Sequence, residues 1–241
     1  MRLCAWRVPK KERVHGAPAI LAPAAEARFV IPPYLIAPEF TLSAPLDQFF
    51  PRFDVRERHA TVVRAPAETV FATAENFDLQ SLLLIRSIIR LRQLFLGSTP
   101  VVRKPRAFLQ EALEMGWGLL AQESGRLFIA GAHCQPWLAD VTFTPVPARE
   151  FSSYFEPNRV KIAWSLEVEP QSPTSARLAT ETRALATDDE ARRQFRRYWR
   201  WARFGIVAIR WFMLPAIRRQ AERTWKQRAS EQDHRGSRRA V

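Results

Sequence analysis

Between Thr187 and about Trp225 the chain runs for nearly forty residues with one glycine, Gly205, and one proline, Pro215. Little but helix can occupy so long a run. Its opening, Thr187-Asp188-Asp189-Glu190, offers a capping side chain and negative charge over the first turn, where helical N–H groups lack partners and the helix dipole is positive. Ala191, Phe195, Tyr198, Ala202, Ile206, Ile209, Met213, Ala216 and Ile217 then recur at helical spacing and mark an apolar stripe. A long helix with one apolar stripe must lie on something, so the upstream sequence should furnish a surface for it.

At 241 residues, 47% of them hydrophobic, the chain can bury one sizeable core, and wholesale disorder is excluded. The net charge is +13, and from Thr187 to Val241 fifteen Lys/Arg stand against six Asp/Glu, so most of the excess lies in the last quarter. A surface that basic suits nucleic acid, anionic lipid or an acidic partner, or is simply an arginine-rich solvated helix face. Cys4 and Cys134 are far apart with no CxxC, so no disulfide framework and no zinc site are expected. The longest apolar run, Phe204 to Ile217, falls short of the ~20 residues that span a bilayer and contains Arg210. Lys10, Lys11, Glu12 and Arg13 interrupt the place of a signal-peptide core. A cytoplasmic setting is expected, with or without peripheral contact at a membrane.

Seven of the 18 prolines fall in residues 1–45, so residues 1–48 read as an irregular extension. Residues 49–228 read as one ligand-binding domain and residues 229–241 as a basic disordered tail. A first strand fits Arg56 to Arg64; Pro66 opens a short helix through Val70 and Phe71; Asp78 caps a second helical stretch, Leu79 to Leu96, ended by Gly97. A weaker helical signal covers Arg103 to Met115. The period then changes. Trp117–Gln122 and Arg126–Cys134 flank Glu123-Ser124-Gly125 as a hairpin, and a short strand fits Val141–Thr144. From Arg159 to Glu169, Val160, Ile162, Trp164, Leu166 and Val168 alternate with Lys161, Ser165 and Glu167; Ala176 to Leu185 returns with Leu178, Thr180 and Thr182 on one face. An antiparallel sheet with one solvated face must bury the other, and the last helix is long enough to cover it.

The strand into Val62-Val63-Arg64-Ala65-Pro66-Ala67-Glu68-Thr69-Val70-Phe71, the strand Leu178–Arg183 and the helix opening Asp189–Trp199 together resemble the helix-grip superfamily, which includes START lipid-transfer domains, pollen-allergen-like proteins, polyketide cyclases/dehydratases and SRPBCC-type bacterial proteins. The resemblance spans roughly residues 50–225. It implies an α+β helix-grip fold: a curved antiparallel sheet wrapped around a long C-terminal helix, with two short helices after the first strand. It further implies an apolar cavity between sheet and helix for a hydrophobic small molecule or lipid. The fold hosts carriers and cyclases alike, so the chemistry must come from the cavity lining.

Trp164, Leu166, Thr180, Thr182, Phe195, Tyr198, Ile206, Ile209 and Met213 are the expected lining, with Arg86, one turn from Arg90, placed to meet a ligand carboxylate. The plainer readings are core for Trp164, ordinary strand formers for the threonines and a wet helix face for the arginines. There is no GxSxG, P-loop or GxGxxG motif, and no cofactor or metal is expected. A cyclase needs a polar group in reach of an enolisable substrate, and the candidates on the expected inner faces are His59, Thr180, Thr182 and Tyr198, His59 being otherwise an edge-strand surface histidine. Trp201, Phe204, Trp211 and Phe212 fall off the apolar stripe among arginines such as Arg200. That suits an anionic membrane surface, a second copy of the chain or the N-terminal extension as cover. Nucleic acid is not the expected partner, because no recognition module accompanies the basic helix.

Overall fold

The computed structural model describes residues 45–82 and 107–239, together with Arg86, Ser87, Arg90 and Gly97, with side chains as far as Glu231 except at position 80. Strand β1 (Val55–Val63) is followed by helix α1 (Ala67–Glu75) and a 3₁₀ turn (Leu79–Ser81); helix α2 (Phe108–Glu114) leads into β2 (Gly118–Glu123) and β3 (Leu127–Cys134). The short β4 (Thr144–Pro145) and one-turn α3 (Ala148–Phe151) precede β5 (Val160–Ser172), β6 (Ser175–Ala186) and the long α4 (Asp189–Arg239). The sheet is antiparallel, in the order β1-β6-β5-β3-β2, with β4 pairing the end of β3. Irregularities at Leu119/Ala121 and Pro170/Ser172 add local bend, as an extra residue on one strand does. The α+β architecture expected from the sequence is therefore present, and only part of the Leu79–Leu96 helix expectation falls on described residues.

Local chemistry accounts for the main elements. Asp188 caps α4: its carboxylate accepts from the N–H of Ala191 at 2.7 Å and of Asn158 at 2.5 Å, and these bonds hold its pKa below the usual carboxylate range. The helix passes Trp225 and continues to Arg239, because Gln, Ala, Arg, Lys and Glu beyond that point are all good helix formers. Pro215 lies inside it and leaves the Trp211 carbonyl without an i+4 donor. The Glu123-Ser124-Gly125 turn joins β2 and β3, with Gly125 at φ 70°.

On the inner face of the sheet two apolar clusters receive α4. One joins Phe128, Trp164, Leu166, Val168 and Leu178 to Met213, Leu214 and Ile217, together with α1 and α2; the other joins Val160 and Ala184 to Phe195. Trp164 sits among rings, 5.1 Å from Phe108, 5.4 Å from Phe128 and 6.1 Å from Trp117. The opposite face departs from expectation. It is not simply solvated, because Leu46, Phe50 and Phe151 pack on Ile129 and Ala163 and form a further cluster. Lys161, Ser165, Glu181 and Arg183, which alternation places on a wet face, are consequently buried. Lys161 donates to the carbonyls of Phe151 at 2.8 Å and Ser152 at 2.9 Å, and burial pushes its pKa down. The cover comes from segments remote in sequence, so strand periodicity carries no sign of it.

Candidate functional site

The cross-strand register builds the inner face in rungs. Glu57 stands opposite Thr182, Thr182 opposite Trp164 and Trp164 opposite Ala130; one rung along, His59 stands opposite Thr180, Thr180 opposite Leu166 and Leu166 opposite Phe128. Directly opposed residues share a face, so this face is polar on β1 and β6 and apolar on β5 and β3. Along α4 Arg210 lies between Ile209 and Met213 of the first cluster, and its side chain reaches this polar edge at Thr182.

Arg210 is buried, with 9% of its surface exposed, and donates from Nη2 to Thr182 Oγ1, while Nη1 has no hydrogen-bond partner. Burial pushes its pKa down to about 10, partly opposed by the nearby Glu57 carboxylate, so the guanidinium keeps its charge at neutral pH. His59 projects toward the same place. Its Nε2 lies 3.7 Å from Glu57 Oε2, beyond hydrogen-bond range, and is buried without a partner. Desolvation, and next the positive charge of Arg210, lower the His59 pKa, so the ring is neutral at pH 7. A cation, a neutral imidazole and a carboxylate therefore meet at the boundary of an aromatic wall. Such an edge can hold an oxygen atom of negative character while the rest of a molecule lies on apolar surface.

The residues proposed from sequence divide three ways. Trp164, Leu166, Phe195 and Met213 are buried between sheet and helix, with Tyr198 and Ile209 packed at the margins of those clusters and Ile206 half-buried. Thr180 donates to the Ser165 carbonyl at 2.8 Å, so its hydroxyl is used within the sheet, and Thr182 receives Arg210. Arg86 and Arg90 are exposed. Trp201, Phe204, Trp211, Phe212 and Arg200 are exposed on the far side of α4. Two residues were missed as site members, Glu57 and Arg210. Arg210 lies four residues from Ile206, three from Met213 and seven from Ile217, which is the spacing of the stripe itself, and Glu57 lies one strand period from His59. That phase was the available signal.

Two surface hollows among the described residues lie elsewhere: one of about 410 Å³ between Phe77, Leu82 and Arg223, the other of about 340 Å³ between Phe49, Arg52 and Lys161. His133 is on the outer face, stacked on Tyr154 at 4.6 Å. Among the described residues no group of three His, Cys, Asp or Glu could hold a metal ion, and no helix is long and apolar enough to cross a membrane.

The His59 environment has a consequence for stability. Its folded pKa lies below the 6.5 of an exposed imidazole, so the unfolded chain binds the proton more readily. Its contribution is present above pH 6.5 and is lost as pH falls from there toward the folded pKa. In urea unfolding, His59→Gln is expected to lose less stability than the parent between pH 7.5 and 5.5. His133, also lowered by burial, is common to both proteins and cancels in the difference. Equal losses in the two would contradict the assignment.

A curved antiparallel sheet holding a long C-terminal helix, with short helices inserted after the first strand, is the helix-grip arrangement. No protein-family model matches the sequence, and no curated protein matches it. Among solved structures, the aromatase/cyclase Zhui from Streptomyces sp. R1128 is similar at 11% identity and a TM-score of 0.25, covering 70% of this chain and 94% of that one. A likeness that distant transfers no residue roles.

Proposed function

We propose that this protein binds a hydrophobic small molecule or lipid between α4 and the inner face of the sheet, with an oxygen-bearing end turned toward Arg210 and His59. The observation that carries the reading is the buried guanidinium with a free Nη1 beside an imidazole with a free Nε2. A buried cation whose direct partner is a neutral hydroxyl costs several kcal/mol, and unsatisfied buried groups of this kind cluster where something else supplies the missing partner. The apolar remainder of the ligand would gain ~25 cal/mol for each Å² removed from water.

Native mass spectrometry of the purified chain should find a co-purifying apolar molecule. As a defined probe, 1-anilinonaphthalene-8-sulfonate joins an aromatic body to one anionic group. Arg210→Met is expected to weaken its binding by about 10- to 100-fold, the worth of one charge-assisted hydrogen bond. Because the methionine removes an incompletely paired buried charge, stability should hold or rise. A variant that binds the probe like the parent would remove Arg210 from the site.

One observation favours a second reading, cyclase- or dehydratase-type catalysis. The neutral His59 Nε2 is free to take a proton while Arg210 stabilises developing negative charge on an oxygen. His59→Gln and the parent together separate the two: retained probe binding with lost turnover of a polyketide-like carbonyl substrate supports catalysis, and a parent that binds the probe without turning such substrates over supports binding alone.

A further inference from the structure

The side of α4 turned away from the sheet has a pattern that the ligand site does not use. At ~100° per residue, Trp201, Phe204, Ala208, Trp211, Phe212 and Pro215 fall within an arc of about 100°. The four aromatic side chains are exposed by 44%, 65%, 62% and 49% for Trp201, Phe204, Trp211 and Phe212. This apolar strip is about 21 Å long at 1.5 Å per residue. Exposed arginines lie on the same side beyond both ends: Arg193, Arg197 and Arg200 before it, Arg218, Arg219 and Arg223 after it. Arg193 pairs with Glu190 and Arg218 with Glu222 at 3.1 Å; among the described residues no carboxylate lies within salt-bridge range of Arg197, Arg200, Arg219 or Arg223. Between Ala191 and Ser230 the chain has twelve basic residues and one acidic residue, Glu222.

Charge decides what can cover such a strip. Two copies meeting across it, parallel or antiparallel, would set arginine rows against arginine rows, and like charges in contact are unfavourable. The stretches of this chain that lie wholly or mostly outside the described residues are themselves basic. Residues 83–106 have Arg86, Arg90, Arg92, Arg103, Lys104 and Arg106 with no acidic residue, and residues 1–44 have six basic residues against three acidic. The complement is therefore an external anionic surface. The central tryptophans and phenylalanines select among such surfaces, because an apolar strip between cationic ends matches a lipid interface and has no counterpart in a nucleic-acid backbone.

We propose that the outward face of α4 docks on an anionic phospholipid bilayer, with Phe204, Trp211 and Phe212 entering the interfacial layer and the arginines at either end meeting headgroup phosphates. The helix lies in the plane of the membrane, and Arg210, Met213 and Ile217 remain on the sheet.

The test uses the full chain and vesicle flotation, with phosphatidylcholine alone against phosphatidylcholine containing phosphatidylglycerol. Partitioning should favour the anionic vesicles by about tenfold or more, and should fall as salt shortens the Debye length from ~10 Å to ~3 Å. Phe204→Ser with Trp211→Ser should reduce it by a further tenfold or so, since each loses apolar area from the interface. These residues are exposed, so the double variant should melt like the parent. Should it not, Arg197→Gln with Arg219→Gln gives the same reading through a shallower salt dependence. Equal flotation with both lipids overturns the proposal, as does a correctly folded double variant that floats like the parent. So does duplex DNA that displaces the vesicles, or a stable dimer abolished by the same two substitutions.

Discussion

Glu181→Ala is expected to lower the unfolding free energy by about 3–5 kcal/mol, the usual effect of removing one member of a buried ion pair. The Glu181 carboxylate is fully buried and accepts from three guanidiniums: Arg183 Nε at 2.6 Å, Arg56 Nε at 2.8 Å and Arg58 Nη1 at 3.1 Å. Arg56 and Arg58 reach solvent and can rehydrate, but Arg183 is 2% exposed and cannot. It would keep Asp47 Oδ1 at 2.6 Å and the Phe50 carbonyl at 2.8 Å, which places the loss toward the lower end of the range. Those contacts tie the segment before β1 to the outer face of the sheet, so the loss should also loosen Leu46 and Phe50. Arg56→Ala, on the exposed side of the network, should cost under ~1 kcal/mol. Replacing Glu181 and Arg183 together with methionine should cost less than Glu181→Ala alone, because no stranded charge is left. Urea denaturation of the three variants checks the order; Arg56→Ala as damaging as Glu181→Ala would refute the desolvation argument.

Gly116→Ala is the second large effect, at about 3–5 kcal/mol, from positive-φ strain together with overpacking. Gly116 has φ 98°, and an added Cβ would press into the backbone carbonyl of Phe143, whose carbon would lie only 3.1 Å away. Backbone cannot yield as a side-chain tip can. The neighbouring Trp117 ring stacks on Phe143 at 4.6 Å, so relief by moving residue 143 would break an aromatic contact that also reaches Trp164. Gly125→Ala is the control: φ is 70°, but nothing lies within 4 Å of the new methyl, and the cost should be the backbone strain alone, ~1–2 kcal/mol. Thermal melts showing equal losses at the two positions would mean that the Phe143 approach contributes nothing.

What could be read from the chain alone follows the range of the interactions involved. The alternation of Val160 to Val168, the Asp188 cap, the Gly125 turn and the stripe from Ala191 to Ile217 are local, each set within a few residues by strand or helix period. They were sufficient for the α+β class and for the pairing of β5 with β6. The candidate site was half legible. His59 and Thr182 announce themselves on alternating strands, whereas Arg210 reads as a break in an apolar run until its phase with Met213 and Ile217 is followed. The burial of Lys161, Glu181 and Arg183 was not legible at all. A charged residue on an alternating strand looks solvated by its own neighbours, and only tertiary structure brings Asp47, Phe50 and Phe151 over it, Phe50 from 133 residues away. Period determines which way a side chain points; whether that direction meets water is decided by distant segments, and so by the fold as a whole.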